Sequence, residues 1–276
     1  MTGMANPTYV LGHSEREISR LRVQARLLES VTRGFLCEAG LSAGMRILDV
    51  GSGAGDVAFL AAELVGPLGA VVGIDKVTAA VAAATMTAQD QGIKNVSFQE
   101  GDPTRMSFDQ PFDAVVGRYV LLFQTDPSAM LTTLVRHVRP HGLVVFHEPD
   151  WVSARSVPPV PTYDRCRRWL HEVFVRSDMD DNMADRLYGI FVRAGLETPS
   201  MRMHTFIAGG TAGDVFLEAT ADIITTLAPQ IERLGLATAS EIDIATLASR
   251  MKAEAAANGS VIIGRSEVGA WARLGV

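Results

Sequence analysis

Apolar and polar positions follow two different rhythms along this 276-residue chain. After residue 14, Ile18, Leu21, Ala25, Leu28, Val31 and Phe35 recur at three- and four-residue steps, the pattern of one apolar helix face. Ser14 with Glu17 three residues later makes a capping box at its start, and Gly40 marks its end. From 46 to 149 the rhythm changes. Short β-favouring runs at 46–50, 70–75, 96–100, 112–117 and 143–147 alternate with helix-compatible stretches at 55–65, 77–91 and 126–138. Strands and helices alternating at this spacing predict an α/β fold, a parallel sheet with helices on both faces.

Beyond Pro149 the pattern loosens. Pro158, Pro159 and Pro161 predict a loop over 151–161, and 162–194 reads as helix up to Gly195. Residues 197–208 predict a strand, 213–257 a helical stretch broken near Pro229 and Gly235, and 260–265 with 270–274 a last strand. The expected organisation is an arm and helix over 1–40 and a core over 41–150. A helical insertion and return helix over 151–195 follow, then C-terminal strands over 196–276 interrupted by a helical insertion at 211–258. The segments 151–182 and 211–258 are expected to act as a helical lid.

Composition narrows the function. A 47% hydrophobic content supports one large domain with insertions, and a net charge of −6 without a Lys/Arg run speaks against nucleic acid or an anionic membrane as partner. Cys37 and Cys166 stand far apart outside any CxxC pattern, which predicts reduced thiols and a cytoplasmic protein. The first residues lack a charged region followed by an apolar run, so no signal peptide is expected. No apolar run reaches the ~18 residues that a membrane span requires. The histidines lack HxxxH or HxH spacing, so no metal site is expected.

The stretch Arg46-Ile47-Leu48-Asp49-Val50-Gly51-Ser52-Gly53-Ala54-Gly55-Asp56 carries the chemistry. A glycine-rich turn between a strand and a helix lets backbone approach a nucleotide-like ligand. A dinucleotide frame counted from Gly51 needs a third glycine where Asp56 stands; the glycines present are Gly51, Gly53 and Gly55, preceded by Asp49. Asp75, 26 residues after Asp49, can accept both hydroxyls of a ribose, in either kind of site. The spacing D-x-G-x-G-x-G resembles motif I of class I S-adenosylmethionine-dependent methyltransferases. So do Gly101-Asp102 after the third run, Phe112-Asp113 through Leu121 as a fourth strand, and Arg139-Pro140-His141-Gly142 before the fifth. In the last of these His141 replaces a glycine. The resemblance covers 45–150 and implies a seven-stranded, mostly parallel sheet whose last strand, near 260–265, is antiparallel. It implies S-adenosylmethionine as cofactor, held around Asp49, Gly51, Ser52, Gly53 and Gly55. Asp75, Lys76, Gly101, Asp102, Pro103 and Arg118 complete the implied cofactor set.

Tyr9-Val10-Leu11-Gly12 with Glu17 and Arg20 resembles the arm of small-molecule methyltransferases of the quinone-biosynthesis and bacterial natural-product types, and implies Tyr9 near the cofactor carboxylate. His147 and Glu148 follow strand five, where topology places catalytic groups, with Glu148 the first candidate for a base or cation-stabilising group. Tyr119, Phe123, Asp150, Trp151 and Arg168 are candidates for binding the acceptor. Arg168 belongs to a run, Arg165-Cys166-Arg167-Arg168, that reads either as a solvated helix face or as an anion clamp. The expected function is O- or C-methylation of a small metabolite. A prenyl-diphosphate C-methyltransferase and a cofactor-binding protein without methyl transfer are the alternatives. The long apolar stripe of the helix at 14–36 suggests a homo-oligomer.

Overall fold

The computed structural model describes residues 28–275; the capping box at Ser14 and Tyr9 lie outside them. The described chain divides into two compact units, one of 28–148, 183–203 and 268–275, the other of 149–182 and 204–267.

In the first unit a helix described from 28 to 39 (α1) leads into β1 (Arg46–Val50). Then come α2 (Asp56–Val65), β2 (Ala70–Asp75), α3 (Thr78–Asp90), β3 (Val96–Glu100) and β4 (Phe112–Arg118). A 3-10 turn at Leu121–Phe123, α4 (Pro127–Leu134) and β5 (Val138–Asp150) follow, and the chain returns later through α6 (Met183–Arg193). β1 pairs in parallel with β2 and β4, β2 with β3, and β4 with β5. The order β3-β2-β1-β4-β5 therefore reverses direction between β1 and β4. In such sheets ligands bind outside the carboxyl ends of the strands, at the reversal. The whole sheet has eight strands, β8 and β6 continuing the order and β7 pairing with β8.

Alternation of side chains along each strand builds two cores. Leu48, Val50, Ile74, Val115, Val144 and Phe146 pack on α4 and α6, whereas Ile47, Val71, Ala114, Val116, Leu143 and Val145 pack on α1 and α2. Burying each such Leu, Ile or Phe contributes roughly 1.5–3 kcal/mol. The described part of the apolar stripe that suggested a homo-oligomer is used inside the chain: Leu28, Val31 and Phe35 are all buried. His141 is accommodated in the glycine position with a left-handed φ of 62°, its N–H bonded to the Leu274 carbonyl at 3.1 Å. β5 consequently begins at Val138, five residues before the apolar run.

The second unit holds α5 (Pro161–Arg176), α7 (Asp214–Arg233), α8 (Ala239–Ile242) and α9 (Leu247–Asn258). Three sequence expectations change in and around it. The helix expected over 162–194 is two, interrupted at 177–182, where Asp178 takes φ 54°, a conformation that Asp tolerates better than most residues. α7 runs through Pro229 and stops only at Gly235 (φ 66°), whose freedom at positive φ suits a helix end. An extra three-residue strand, β6 (Arg155–Val157), lies antiparallel to β8 (Val261–Arg273), which is one continuous strand; this makes eight strands instead of seven. β7 spans Ser200–Gly209.

Candidate functional site

The turn after β1 is built from backbone that only glycine adopts readily: φ is 65° at Gly51, 53° at Gly53 and 95° at Gly55. A Cβ at Gly55 would meet Phe59 and Phe98 at 2.7 and 2.8 Å, and one at Gly51 would meet Val120 at 2.9 Å. At Gly53 the same position has nothing within 4 Å, so this is the glycine that opens onto free space. Asp75 ties the turn to β2. Its Oδ2 accepts the Gly53 N–H at 2.8 Å and its Oδ1 the Val77 N–H at 2.9 Å.

Asp49 is 1% exposed, and neither carboxylate oxygen has a hydrogen-bond partner. Burial pushes its carboxyl up to about 8, against the pull of the Arg118 guanidinium and with smaller pushes from Asp75 and Asp56. The Ser52 hydroxyl is likewise buried and unpartnered, while its backbone N–H bonds the Ile74 carbonyl at 3.0 Å. Two orphaned polar side chains, one near the end of β1 and one in the glycine turn that follows it, are costly unless a ligand completes them.

On the β2–β3 side, Lys76 Nζ lies 3.2 Å from Asp102 Oδ2, and Asp102 Oδ1 accepts from the Thr104 N–H at 3.0 Å and its hydroxyl at 2.6 Å. Burial pushes the Asp102 carboxyl up, but the Thr104 bonds and the Lys76 ammonium outweigh it and hold it below the usual range. A cavity of about 250 Å³ lies here, lined by Lys76, Asp102, Thr104, Gln124, Met130 and Thr133 among others. Gly101 donates to the Asp75 carbonyl at 2.9 Å, and the Pro103 carbonyl lies 2.9 Å from His137 Nε2. Gln124, Met130 and Thr133 were not singled out in the sequence; lying on or before α4, they carry no motif.

At the ends of β4 and β5, Arg118 and His147 are register partners. Arg118 Nη2 lies 3.3 Å from Asp56 Oδ2, and its Nη1 donates to Thr32 Oγ1 at 3.3 Å. Thr32 Oγ1 is also 3.1 Å from His147 Nδ1. The His147 ring meets Phe35 and Tyr119 edge-on, at 5.0 and 5.6 Å between centroids. Tyr119 holds a left-handed φ of 58°, and Phe123 packs against the core from the 3-10 turn. Thr32 was missed in the sequence, although it offered a signal: it sits four residues after Leu28 and three before Phe35, a polar residue on the apolar face.

Glu148, the first-choice catalytic residue, is fully buried. Its Oε1 accepts the N–H groups of Val120 and Leu121 at 3.0 and 2.8 Å, and Oε2 that of Leu122 at 3.4 Å. With these three backbone N–H groups the Glu148 carboxylate holds the turn that follows β4. Successive strand residues face opposite sides, so His147 and Glu148 have different neighbours.

Asp150, Trp151 and Arg168 belong to the second unit. Asp150 Oδ1 accepts the Val152 N–H at 3.2 Å. The Trp151 ring carries the Arg265 guanidinium at 4.8 Å, and Arg265 Nε bonds Glu267 at 2.9 Å. Arg168 lies on the exposed face of α5. Among the described residues no three His, Cys, Asp or Glu side chains gather as a metal site requires, and no helix is long and apolar enough to cross a membrane.

A reversed parallel sheet with a glycine turn at the reversal, a buried acid before it and a second acid tying it to β2 defines an α/β fold of the nucleotide-binding type. Residues 41–195 match the methyltransferase domain family, and the chain belongs to it. It is 34% identical over 119 residues to the aklanonic acid methyltransferase DauC of Streptomyces sp. (strain C5), covering 43% of this chain and 54% of that protein. It is 38% identical over 102 residues to the nocamycin O-methyltransferase of Saccharothrix syringae, covering 37% and 36%. To the ubiquinone/menaquinone biosynthesis C-methyltransferase UbiE of Coxiella burnetii it is 34% identical over 127 residues, covering 44% and 51%. The chain thus spans about half the length of these relatives, or less. In fold it resembles YcgJ of Bacillus subtilis (TM-score 0.57, 19% identity, 88% of this chain and 98% of that one). It also resembles the [4+2]-cyclase SpnF (TM-score 0.55, 19% identity, 90% and 81%).

The family implies S-adenosylmethionine, and the residues present fit it. The unpartnered Asp49 carboxyl suits a cationic amino group, the open space at Gly53 a closely approaching ligand, and Asp75 and Asp102 the hydroxyls and amine of an adenosine.

Proposed function

We propose that this chain is an S-adenosylmethionine-dependent methyltransferase acting on a small-molecule acceptor at oxygen or carbon. The observation that carries the reading is Asp49: a buried carboxyl without a partner, beside a glycine turn that is open at Gly53. The bound cofactor supplies an electrophilic methyl group. The chain's own residues do the rest. The glycine turn, Asp49 and Asp75 hold the ligand, and alignment and exclusion of water provide most of the rate. Glu148 anchors the turn at Val120–Leu122 and so fixes Tyr119 and Phe123 as candidate acceptor contacts. The names of the relatives support both oxygen and carbon as methylated atoms.

The test is transfer of an isotope label from S-adenosylmethionine to a panel of phenols, hydroxyquinones, β-dicarbonyl compounds and prenyl diphosphates, read by mass spectrometry. A labelled product supports the reading and names the acceptor class. Tight S-adenosylhomocysteine binding with no product from any of them favours the other reading, a cofactor-binding protein that transfers no methyl group. Likeness in fold to a cyclase makes that outcome worth resolving, since fold alone does not give function.

A further inference from the structure

A second cavity, of about 340 Å³, lies beside α4 in the first unit. None of the residues assigned above to the cofactor lines it. Its size falls within the range of roughly 300–1,000 Å³ typical of small-ligand sites. The walls come from the loop after β3, from α4, and from the 3-10 turn at Val135–His137 that joins α4 to β5. Thr104 and Thr133 also line the cavity at Asp102, so the two cavities share a wall.

Most polar atoms of this cavity are spent within the fold. The Thr104 hydroxyl donates to Asp102 Oδ1 at 2.6 Å, and that of Thr133 to the Ala129 carbonyl at 3.0 Å. His137 Nε2 lies 2.9 Å from the Pro103 carbonyl; a carbonyl only accepts, so this nitrogen is protonated and committed. The Phe108 ring is held edge-on by Phe112 and by His137, each at 5.0 Å between centroids. Two donors remain. Among the described residues Arg136 has neither an ion pair nor a hydrogen bond, and the Ser107 hydroxyl has no partner. Other arginines of this unit are paired: Arg118 with Asp56 at 3.3 Å, Arg139 with Asp113 at 2.5 Å. In a chain of net charge −6, a guanidinium left unpaired at a cavity wall is an exception that an anionic ligand would explain.

We infer that this cavity is a second ligand site, apart from the glycine turn, which takes a small planar carboxylate with an apolar body. The guanidinium fork meets a carboxylate through two parallel N–H···O bonds, and the Ser107 hydroxyl supplies a further donor. Met106 and Phe108, both half-buried, provide the apolar wall for the body of the ligand. One unpaired cation matches one negative charge. A phosphate dianion calls for a second, and Lys76, which lines the neighbouring cavity, is already paired with Asp102 at 3.2 Å. Because Phe108 and His137 are fixed before any ligand arrives, little ordering is left to oppose binding. The inference stands on this cavity alone and does not rest on the methyltransferase reading.

The test is a titration of the full-length protein with benzoate, followed by calorimetry and by the histidine ring signals in NMR, with His137 assigned from the signal lost in His137→Gln. Benzoate should bind with a Kd on the order of 1 mM, ordinary for so small a ligand, and should shift the His137 signal. Inorganic phosphate and benzylamine should each bind at least about tenfold more weakly, one lacking the apolar body and the other the negative charge. Arg136 has no described partner to lose, so its variants should fold. Arg136→Gln should weaken benzoate at least about tenfold, and Arg136→Lys, which keeps the charge without the fork, about threefold. No saturable binding up to about 20 mM, phosphate or benzylamine equal to benzoate, or an affinity unchanged in Arg136→Gln would overturn the inference. Saturating S-adenosylhomocysteine should leave benzoate bound; displacement would put benzoate in the cofactor's own cavity and would also overturn it. If S-adenosylhomocysteine does not bind at all, the methyltransferase reading fails, and the Arg136 variants still decide this one.

Discussion

Glu148 Oε1 accepts the backbone N–H groups of Val120 and Leu121 at 3.0 and 2.8 Å, across 28 and 27 residues of chain. The end of β5 thereby grips the turn that follows β4. This is the turn that carries Tyr119, whose left-handed backbone needs such support.

Substituting Glu148 separates anchoring from catalysis. Glu148→Ala leaves buried N–H groups unsatisfied at about 1–3 kcal/mol each, so a loss of about 3 kcal/mol or more in urea unfolding is expected. Glu148→Gln keeps a carbonyl acceptor and should lose about 1 kcal/mol. If Glu148→Gln instead unfolds normally but loses all methyl transfer, Glu148 takes part in the chemistry.

Asp49 predicts a pH dependence of stability. Its folded pKa of about 8 lies above its ordinary 3.8, so between those values the native state holds a proton that the unfolded chain has released. The stabilisation is complete below about pH 4 and is lost as pH rises through about 8. One proton corresponds to a slope of at most about 1.4 kcal/mol per pH unit. Resistance of the native protein to urea should fall from pH 5 to pH 8 more steeply than that of Asp49→Asn. Parallel curves would show that Asp49 is ionised throughout.

The same carboxyl should release a proton when a cationic ligand binds. Calorimetry of S-adenosylhomocysteine binding near pH 7, in buffers of different ionisation enthalpy, should report a proton release approaching one per site in the native protein. In Asp49→Asn it should report close to none. Equal release in both would place the titrating group elsewhere.

Two glycine substitutions should differ in kind. Gly53→Ala adds a methyl group into open space at φ 53°, so stability falls by only about 1–2 kcal/mol. The same methyl stands where a ligand would approach, and S-adenosylhomocysteine affinity should fall at least tenfold. Gly55→Ala drives its Cβ into the Phe59 and Phe98 rings and should lose more stability than Gly53→Ala. Equal affinities for native and Gly53→Ala proteins would remove the ligand from that turn.

The strand–helix order from 46 to 149 and the cradle at Gly51–Gly55 are legible in the sequence because they depend on local rules: side-chain periodicity, and backbone conformations open to glycine. Asp49 and Asp75 are legible for the same reason, each standing at a fixed distance from that turn. The break between α5 and α6 was not legible, since helix-compatible residues continue past 176 and the interruption rests on Asp178 adopting positive φ. Nor was the passage of α7 through Pro229, which local propensity argues against and tertiary packing overrides. The roles of Glu148 and Thr32 depend on partners 28 and 115 residues away, the Val120 amide and the His147 ring, and no local pattern encodes such distances. Sequence determined which groups stand at the strand ends; the tertiary structure alone decided which of them have lone pairs and protons left to use.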